Sequence, residues 1–286
     1  FDRVSQRFHP SALRSFSFEG SVYGLPETQV FDVLFYRKDI LDELGIEVPE
    51  TWDELFRILP ILQKQNLEFG LPVPQPTIGN IRVWPPNQTF AMLLFQHGGE
   101  FYAEDGSRSL LDSETGLRAF KTWTEFYTNY KIPLEYNFEN RFRQGEMPLA
   151  IAYFRYYNQL TVFAPELRGL WGIAPVPGLE LPDGTVSRAV SSESTASIIL
   201  KGTDQPQQSW EFIRWWTSED AQIRYGRELE SLLGAAARHP TANMDALESL
   251  PWPVQVYRKL DEQWEHVQGI PEVPGGYFAG RHIENA

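Results

Sequence analysis

Short apolar runs alternate with apolar residues at helical spacing along this chain of 286 residues. Residues 33–36 form an apolar, aromatic run, which predicts a buried strand. The following Lys38–Leu44 segment has apolar residues at helical spacing and stops at Gly45, which predicts a short helix. Because strands and helices continue to alternate, we expect a mostly parallel α/β sheet with its ligand beyond the carboxyl ends of the strands.

Local signals place further elements. Thr51 and Glu54 have the spacing of a capping box, in which each side chain bonds the other residue's backbone amide. Ser113 stands at the cap position of another amphipathic helix, and Asp183 with Gly184 predicts an exposed turn. We also predict strands at residues 69–73, 149–153, 170–176 and 196–200, and helices at residues 89–96, 138–145, 210–217, 218–233 and 257–266.

Composition narrows the classes of protein that the chain can belong to. It has 25 Lys and Arg against 38 Asp and Glu, a net charge of −13, so a nucleic acid would be repelled. It has no cysteine, which excludes disulfides, thiolate nucleophiles and cysteine-ligated metals. Aromatic residues make up 14% of the chain, and although most should lie in the core, flat rings also suit the apolar faces of sugars.

The common catalytic and cofactor-binding motifs do not occur in the sequence. The serine-hydrolase, zinc-protease, P-loop and dinucleotide-binding patterns are missing, the five histidines show no i, i+4 pair, and there is no calcium-loop pattern. We therefore expect no metal, no cofactor and no enzymatic activity. A carboxylate pair for glycoside hydrolysis stays open, because its test is the separation of two side chains in space.

Six segments, in order along the chain, carry a family resemblance. They are Tyr-Gly-Leu-Pro at 23–26, Leu-Phe-Tyr-Arg-Lys-Asp-Ile-Leu at 34–41, Pro-Glu-Thr-Trp-Asp-Glu-Leu at 49–55, Phe-Arg-Gln-Gly-Glu-Met-Pro-Leu-Ala-Ile at 142–151, Trp-Thr-Ser-Glu-Asp-Ala-Gln at 216–222 and Leu-Gly-Ala-Ala-Ala at 233–237. Together they resemble bacterial extracellular solute-binding proteins, the family that includes maltose-binding protein. The tail at residues 271–281 resembles a long, membrane-anchored subgroup from Gram-positive bacteria.

The resemblance implies an α/β fold of the type II periplasmic-binding-protein kind, with two lobes joined by a hinge. Family members usually have further first-lobe elements before the segment at residues 23–26, so we expect an internal fragment with an incomplete first lobe. Residues 32–190 would form the second lobe. Residues 1–31 and 191–286 would form the remnant of the first lobe and the helices that cross the hinge.

The resemblance also implies a function. Such proteins bind a sugar or oligosaccharide outside the cell, without bond chemistry, and deliver it to the transmembrane permease subunits of an ABC importer. The protein would be an extracellular lipoprotein at the cell surface, held on the membrane only through an anchor outside this chain. The alternatives are a sensory or regulatory module that keeps the fold without transport and, less favoured, a carbohydrate-active enzyme.

The resemblance places ligand-binding residues in five patches. Arginine forks, carboxylates and amides suit sugar hydroxyls, and aromatic rings suit sugar faces. The residues are Glu27 and Gln29 on a first crossing loop, Asn87 and Gln88 before a helix, Arg155, Tyr156 and Tyr157 after a strand, Ser192 and Glu193 on the return crossing, and Tyr277, Phe278 and Arg281 in the tail. Arg155 favours a carboxylated sugar. Each patch also has a plain structural reading, as surface loop, helix cap or core.

Overall fold

The structure is a computed structural model that describes residues 1–72, 88–276, 278 and 282. The helices are α1 (Asp2–Ser5), α2 (Pro10–Arg14), α3 (Lys38–Leu44), α4 (Trp52–Lys64), α5 (Gln88–Gln96), α6 (Glu114–Thr128), α7 (Phe138–Gln144), α8 (Tyr156–Phe163), α9 (Pro206–Trp216), α10 (Glu219–Leu233), α11 (Met244–Ser249) and α12 (Val254–Trp264). The strands are β1 (Ser17–Phe18), β2 (Ser21–Val22), β3 (Leu25–Arg37), β4 (Phe69–Gly70), β5 (Leu149–Tyr153), β6 (Trp171–Ala174), β7 (Leu179–Glu180), β8 (Val186–Ser187), β9 (Val190–Ser197) and β10 (Val267–Gln268). Within the described ranges, no helix has the length and apolarity to cross a bilayer.

The central sheet is organised by the long strand β3. Its strand order is β10-β9-β3-β5-β4, and β6 also pairs with β3. The strand pairs with β9 up to Phe31 and with β5 from Asp32 onward, and β6 pairs with its last residues; all three neighbours run antiparallel to it. The partners of β3 therefore change in the middle of one continuous strand.

The expectation of a mostly parallel sheet is wrong. The pairs β4–β5 and β10–β9 are parallel, as the alternation of strands and helices predicted, but the three pairs made by β3 are antiparallel. Two helices, α3 and α4, separate β3 from β4, whereas the usual parallel unit has a single crossover helix. The element pattern shows that strands and helices alternate, and it does not fix the direction of each strand.

Strand β3 is also longer than the apolar run that predicted it. Residues 33–36 are only its second half, and the polar segment of Glu27 to Gln29, expected to be a crossing loop, belongs to its first half. The same holds for β9: the predicted strand at residues 196–200 is in fact Val190–Ser197, which includes the polar crossing at Ser192 and Glu193. Both polar segments lie in the ladder between β3 and β9. Their backbone hydrogen bonds stabilise both as strand, because such bonds do not need apolar side chains.

Two separate hydrophobic clusters hold the described elements together. The main core includes Phe31 and Phe35 of β3, Ile151 of β5 and residues of α4, α5, α6, α11 and α12. The second core is much smaller and consists of Val4, Phe8, Leu25, Ile213 and Ala242. It lies at the start of β3, where that strand pairs with β9 and where α1 and α9 contribute their buried residues.

The predicted caps and turns are confirmed. Thr51 Oγ1 accepts a bond from Glu54 N, and Glu54 Oε2 accepts one from Thr51 N, each at 3.3 Å. Ser113 Oγ accepts the amide of Gly116 at 3.1 Å, and Gly45 ends α3 with a φ of 64°. Asp183 and Gly184 form the turn between β7 and β8.

The remaining boundaries shift by a few residues. The strand predicted at residues 69–73 is β4, Phe69–Gly70, and residue 73 lies outside the described residues. The strand predicted at 170–176 shortens to β6, and the helix predicted from residue 257 begins at Val254 and ends at Trp264. The helix predicted from residue 210 begins at Pro206, because a proline fits the first helical position without losing a hydrogen bond.

Candidate functional site

Four ionisable side chains gather where β3 changes its partners. Asp32 lies directly opposite Tyr153 of β5, and its neighbour Val30 lies opposite Glu193 of β9. Side chains alternate along a strand and directly paired residues share a face, so Asp32, Tyr153 and Glu193 project from the same face of the sheet. Arg155 follows two residues after Tyr153, and its guanidinium carbon lies 5.0 Å from the centroid of the Tyr153 ring. We call Asp32, Tyr153, Arg155 and Glu193 the crossing cluster.

Asp32 is the buried member of the crossing cluster. Its side chain is 1% exposed, and its Oδ1 has no hydrogen-bond partner among the residues that the structure describes. Burial raises the pKa of Asp32 from 3.8 to about 7, with a further rise from the charge of Glu193 and an opposing effect from Arg155. The carboxyl therefore keeps its proton to a much higher pH than an exposed aspartate does.

Tyr153 responds to the same surroundings. Burial raises the pKa of its phenol well above the ordinary value, and the negative charges of Asp32 and Glu193 raise it further. Glu193 and Arg155 are half-buried, whereas Asp32 is buried, and the charges of the first two act on the pKa of Asp32 in opposite directions. The cluster thus has a hydrogen-bond acceptor, the Glu193 carboxylate, and a donor, the Arg155 guanidinium, at half-buried positions. Its buried member is the Asp32 carboxyl, whose charge can change near pH 7.

Gln29 projects from the opposite face of the sheet. Its Nε2 donates to Ser11 Oγ at 2.9 Å and to Ser192 Oγ at 3.0 Å, and its Oε1 accepts from Trp264 Nε1 at 2.9 Å. The side chain is 1% exposed. These bonds occupy the buried amide and tie α2, β3, β9 and α12 together, so Gln29 and Ser192 hold the crossing strands in place from behind the cluster.

Glu27 lies near the start of β3, five residues before Asp32, which is about 17 Å along an extended strand. Its Oε1 accepts a bond from Trp216 Nε1 at 2.9 Å and another from Ser197 Oγ. The side chain therefore joins β3 to β9 and α9. The structure does not bring Glu27 next to Arg155.

The two tyrosines after Arg155 lie at the start of α8 and are half-buried. The ring of Tyr157 is 5.0 Å from that of Trp171 and 6.2 Å from that of Trp252, and the ring of Tyr156 is 5.3 Å from that of Phe138. One side of each ring therefore packs on the main core. This fixes the start of α8, and with it Arg155, against the end of β5.

The other predicted site residues fall into two groups. Gln88 is the first residue of α5 and is half-buried, and Phe278 is exposed. Asn87, Tyr277 and Arg281 lie outside the described residues. In that part of the chain which is described, no three His, Asp or Glu side chains are arranged to hold a metal ion.

Sequence reasoning missed Asp32 and Tyr153. Both lie in strands that read as apolar, and neither follows the end of its strand as Arg155 does. The available signal for Asp32 was a charged residue inside a run of buried positions, because aspartate is almost never fully buried without a partner or a function. For Tyr153 no comparable signal existed, since a tyrosine in a strand is ordinary.

Residues 2–223 match the family model described as bacterial extracellular solute-binding protein. The chain belongs to this family. An arabinooligosaccharide-binding protein of Halalkalibacterium halodurans is 22% identical over 232 residues, which cover 74% of this chain and 47% of that protein. The chain spans about half the length of the curated relatives it matches.

Solved structures of solute-binding proteins share the fold. The sugar-binding protein MalE of Xanthomonas citri superposes with a TM-score of 0.76 at 19% identity, covering 98% of this chain and 68% of that one. An ABC transporter solute-binding protein of Thermotoga lettingae, bound with α-D-tagatose, gives a TM-score of 0.73 at 21% identity, covering 98% and 70%. The implied α/β architecture of the type II periplasmic-binding-protein kind is confirmed.

Proposed function

We propose that this solute-binding protein captures a carbohydrate outside the cell and delivers it to an ABC importer. The observation that carries the proposal is the crossing cluster, which places a half-buried carboxylate and a half-buried guanidinium at the point where the long strand of this fold changes partners. Membership of the extracellular solute-binding family supports the cellular location, and the named relatives bind sugars.

The chemistry of the cluster suits sugar hydroxyls. The Glu193 carboxylate accepts hydrogen bonds from hydroxyl groups, and the Arg155 guanidinium donates to hydroxyl or ring oxygens. Hydrogen bonds to charged groups contribute about 1.5–3 kcal/mol each. The half-buried tyrosines Tyr156 and Tyr157 follow Arg155 directly in the chain, and aromatic rings suit the apolar face of a pyranose.

The proposed ligand contacts are Arg155, Tyr156, Tyr157 and Glu193, completed by Asn87, Gln88, Tyr277, Phe278 and Arg281. Glu27, Gln29 and Ser192 support this site by fixing the strands that carry it. The remaining partners in the proposal are the transmembrane permease subunits, with the protein anchored at the outer face of the cell membrane as a lipoprotein.

The proposal also includes the absence of catalysis. The family and the solved neighbours are binding proteins. Prolonged incubation of the purified protein with oligosaccharides should leave them intact by chromatography. Release of shorter sugars would mean that the carboxyls of the cluster perform hydrolysis.

A sugar-binding screen tests the proposal. At a concentration of 100 times Kd, the bound sugar should stabilise the purified protein by about 2.7 kcal/mol, seen as a rise in melting temperature. Arg155→Ala should abolish this rise, and the matched variant Arg168→Ala, which removes an exposed arginine just beyond α8, should keep it. A panel of mono- and oligosaccharides without any effect, or unchanged binding by Arg155→Ala, would contradict the proposal.

A further inference from the structure

Arg238, which lies outside the crossing cluster, is hydrogen-bonded to α8, the helix that begins directly after Arg155. Arg238 follows the short 3-10 turn Ala235–Ala237 between α10 and α11. Its Nε and Nη2 donate to the two carboxylate oxygens of Glu230 in α10, at 2.9 and 2.7 Å. Its Nη1 donates to Oδ1 of Asn158 in α8 at 3.2 Å.

The surroundings of this guanidinium are closed. The side chains of Arg238 and Glu230 are 8% and 19% exposed, and the Arg238 guanidinium carbon lies 4.7 Å from the centroid of the Trp252 ring. A buried ion pair costs desolvation energy, and apolar side chains of the same volume would often give equal stability. Stability alone therefore does not explain why an arginine is placed here with three partners on three different segments.

The partner in α8 connects Arg238 to the proposed site. Asn158 is 2% exposed and lies one helical turn after Arg155, so a bond to its amide oxygen fixes the first turn of α8. Trp252, which stacks against Arg238, also contacts the ring of Tyr157 at 6.2 Å. Arg238 thus contacts α8 in two ways: directly through its hydrogen bond to Asn158, and indirectly through Trp252, which packs on Tyr157.

The two ends of this connection belong to different parts of the fold. Helix α8 follows β5, which pairs with the second half of β3, while α10 follows β9 and α9, which are associated with its first half. Glu193 lies on β9 and Arg155 lies at the start of α8. The relative placement of the proposed acceptor and donor therefore depends on contacts between these parts.

We propose that Arg238 is a positioning residue for sugar binding: it fixes α8, and through it Arg155 and Tyr157, relative to the part of the fold that carries Glu193. This inference rests on the proposed function. A lysine could not replace it fully, because only the planar guanidinium binds a carboxylate with two parallel bonds and still donates to a third group.

The test compares four variants by calorimetric titration with the sugar that the screen identifies. Arg238→Met should weaken binding about tenfold, the range expected for residues that transmit coupling without touching ligand. Arg238→Lys should be intermediate. Asn158→Ala, which leaves the Arg238–Glu230 pair intact, should weaken binding in the same direction. Arg214→Met, which breaks an exposed arginine–glutamate pair on α9, should bind like the wild type.

A second readout needs no ligand. Hydrogen exchange of the α8 backbone amides should accelerate in Arg238→Met and Asn158→Ala and stay unchanged in Arg214→Met. If these variants lose melting temperature but the folded protein keeps the wild-type Kd, Arg238 is merely structural and the inference is overturned. If the wild type binds no sugar, the proposed function fails instead, and unchanged α8 exchange in both variants would still overturn the role of Arg238.

Discussion

At the scale of single residues, the buried carboxyl of Asp32 makes the stability of the protein depend on pH. The Asp32 side chain is buried in β3, and its Oδ1 has no hydrogen-bond partner among the described residues. Its pKa of about 7 in the folded protein, against 3.8 as the ordinary value, means that the folded state keeps a proton that the unfolded chain loses. Stability at low pH is therefore unaffected, and it falls as the pH rises from about 4 to 7.

Asp32→Asn removes this pH dependence. Above pH 7 the ionised Asp32 costs on the order of 4 kcal/mol of folding free energy, which the neutral amide does not. We expect the variant to gain stability over the wild type at pH 8 and to gain clearly less at pH 5. Urea unfolding at the two pH values measures this. An equal difference at both values would mean that Asp32 is ionised throughout, with a partner that holds its charge.

Sequence reasoning singled out residues by their position next to a predicted strand or helix. It did not single out residues whose role depends on partners far away in the sequence. Arg155 stands out because it follows a predicted strand directly. Asp32 needs the pairing register with Tyr153 and Glu193, and Arg238 needs Asn158, which lies 80 residues away. Gln29 was predicted as a ligand contact, and the face of the sheet from which it projects follows from a register that the sequence does not display.

At the scale of elements, helix α4 begins with a complete capping box. Thr51→Ala removes the side-chain acceptor for the Glu54 amide and should cost about 1 kcal/mol of unfolding free energy. Thr128→Ala is the matched control, because this exposed threonine lies at the end of α6 and bonds only Thr124 O and the side chain of its neighbour Asn129. Chemical denaturation of both variants measures the difference. Equal losses would show that the cap bond adds nothing beyond a generic threonine effect.

Helix starts were predictable because a cap depends on residues three positions apart. Strand directions were not, because the antiparallel pairs of β3 join residues more than a hundred positions apart in sequence. The polar first part of β9 was missed for a related reason, whereas its last residues fall in the strand predicted at 196–200. Its serines and Glu193 do not form an apolar run, and its pairing with β3 stabilises it only after the chain has folded.

At the scale of the whole molecule, the two cores differ greatly in size. The second core has five buried residues, whereas the main core includes residues of most of the described helices and of β3, β4, β5, β6, β9 and β10. Regions with few buried apolar contacts open at lower free energy. We expect amides of α1 and α9 to exchange hydrogen faster than those of β5, as measured by mass spectrometry of peptides. Equal protection would indicate a single cooperative unit.

The continuity of β3 limits how the molecule can move. Its backbone passes unbroken through the point where its ladder changes from β9 to β5, so the two groups of elements cannot slide along it without breaking hydrogen bonds. Bending or twisting of the strand near Phe31 and Asp32 would disturb only the bonds where the two ladders meet, such as the one from Phe154 N to Phe31 O. Relative motion should accordingly be a rotation with little translation, and its pivot coincides with the carboxyl that takes up a proton. The angle between the two groups of elements and the protonation of Asp32 would then depend on each other.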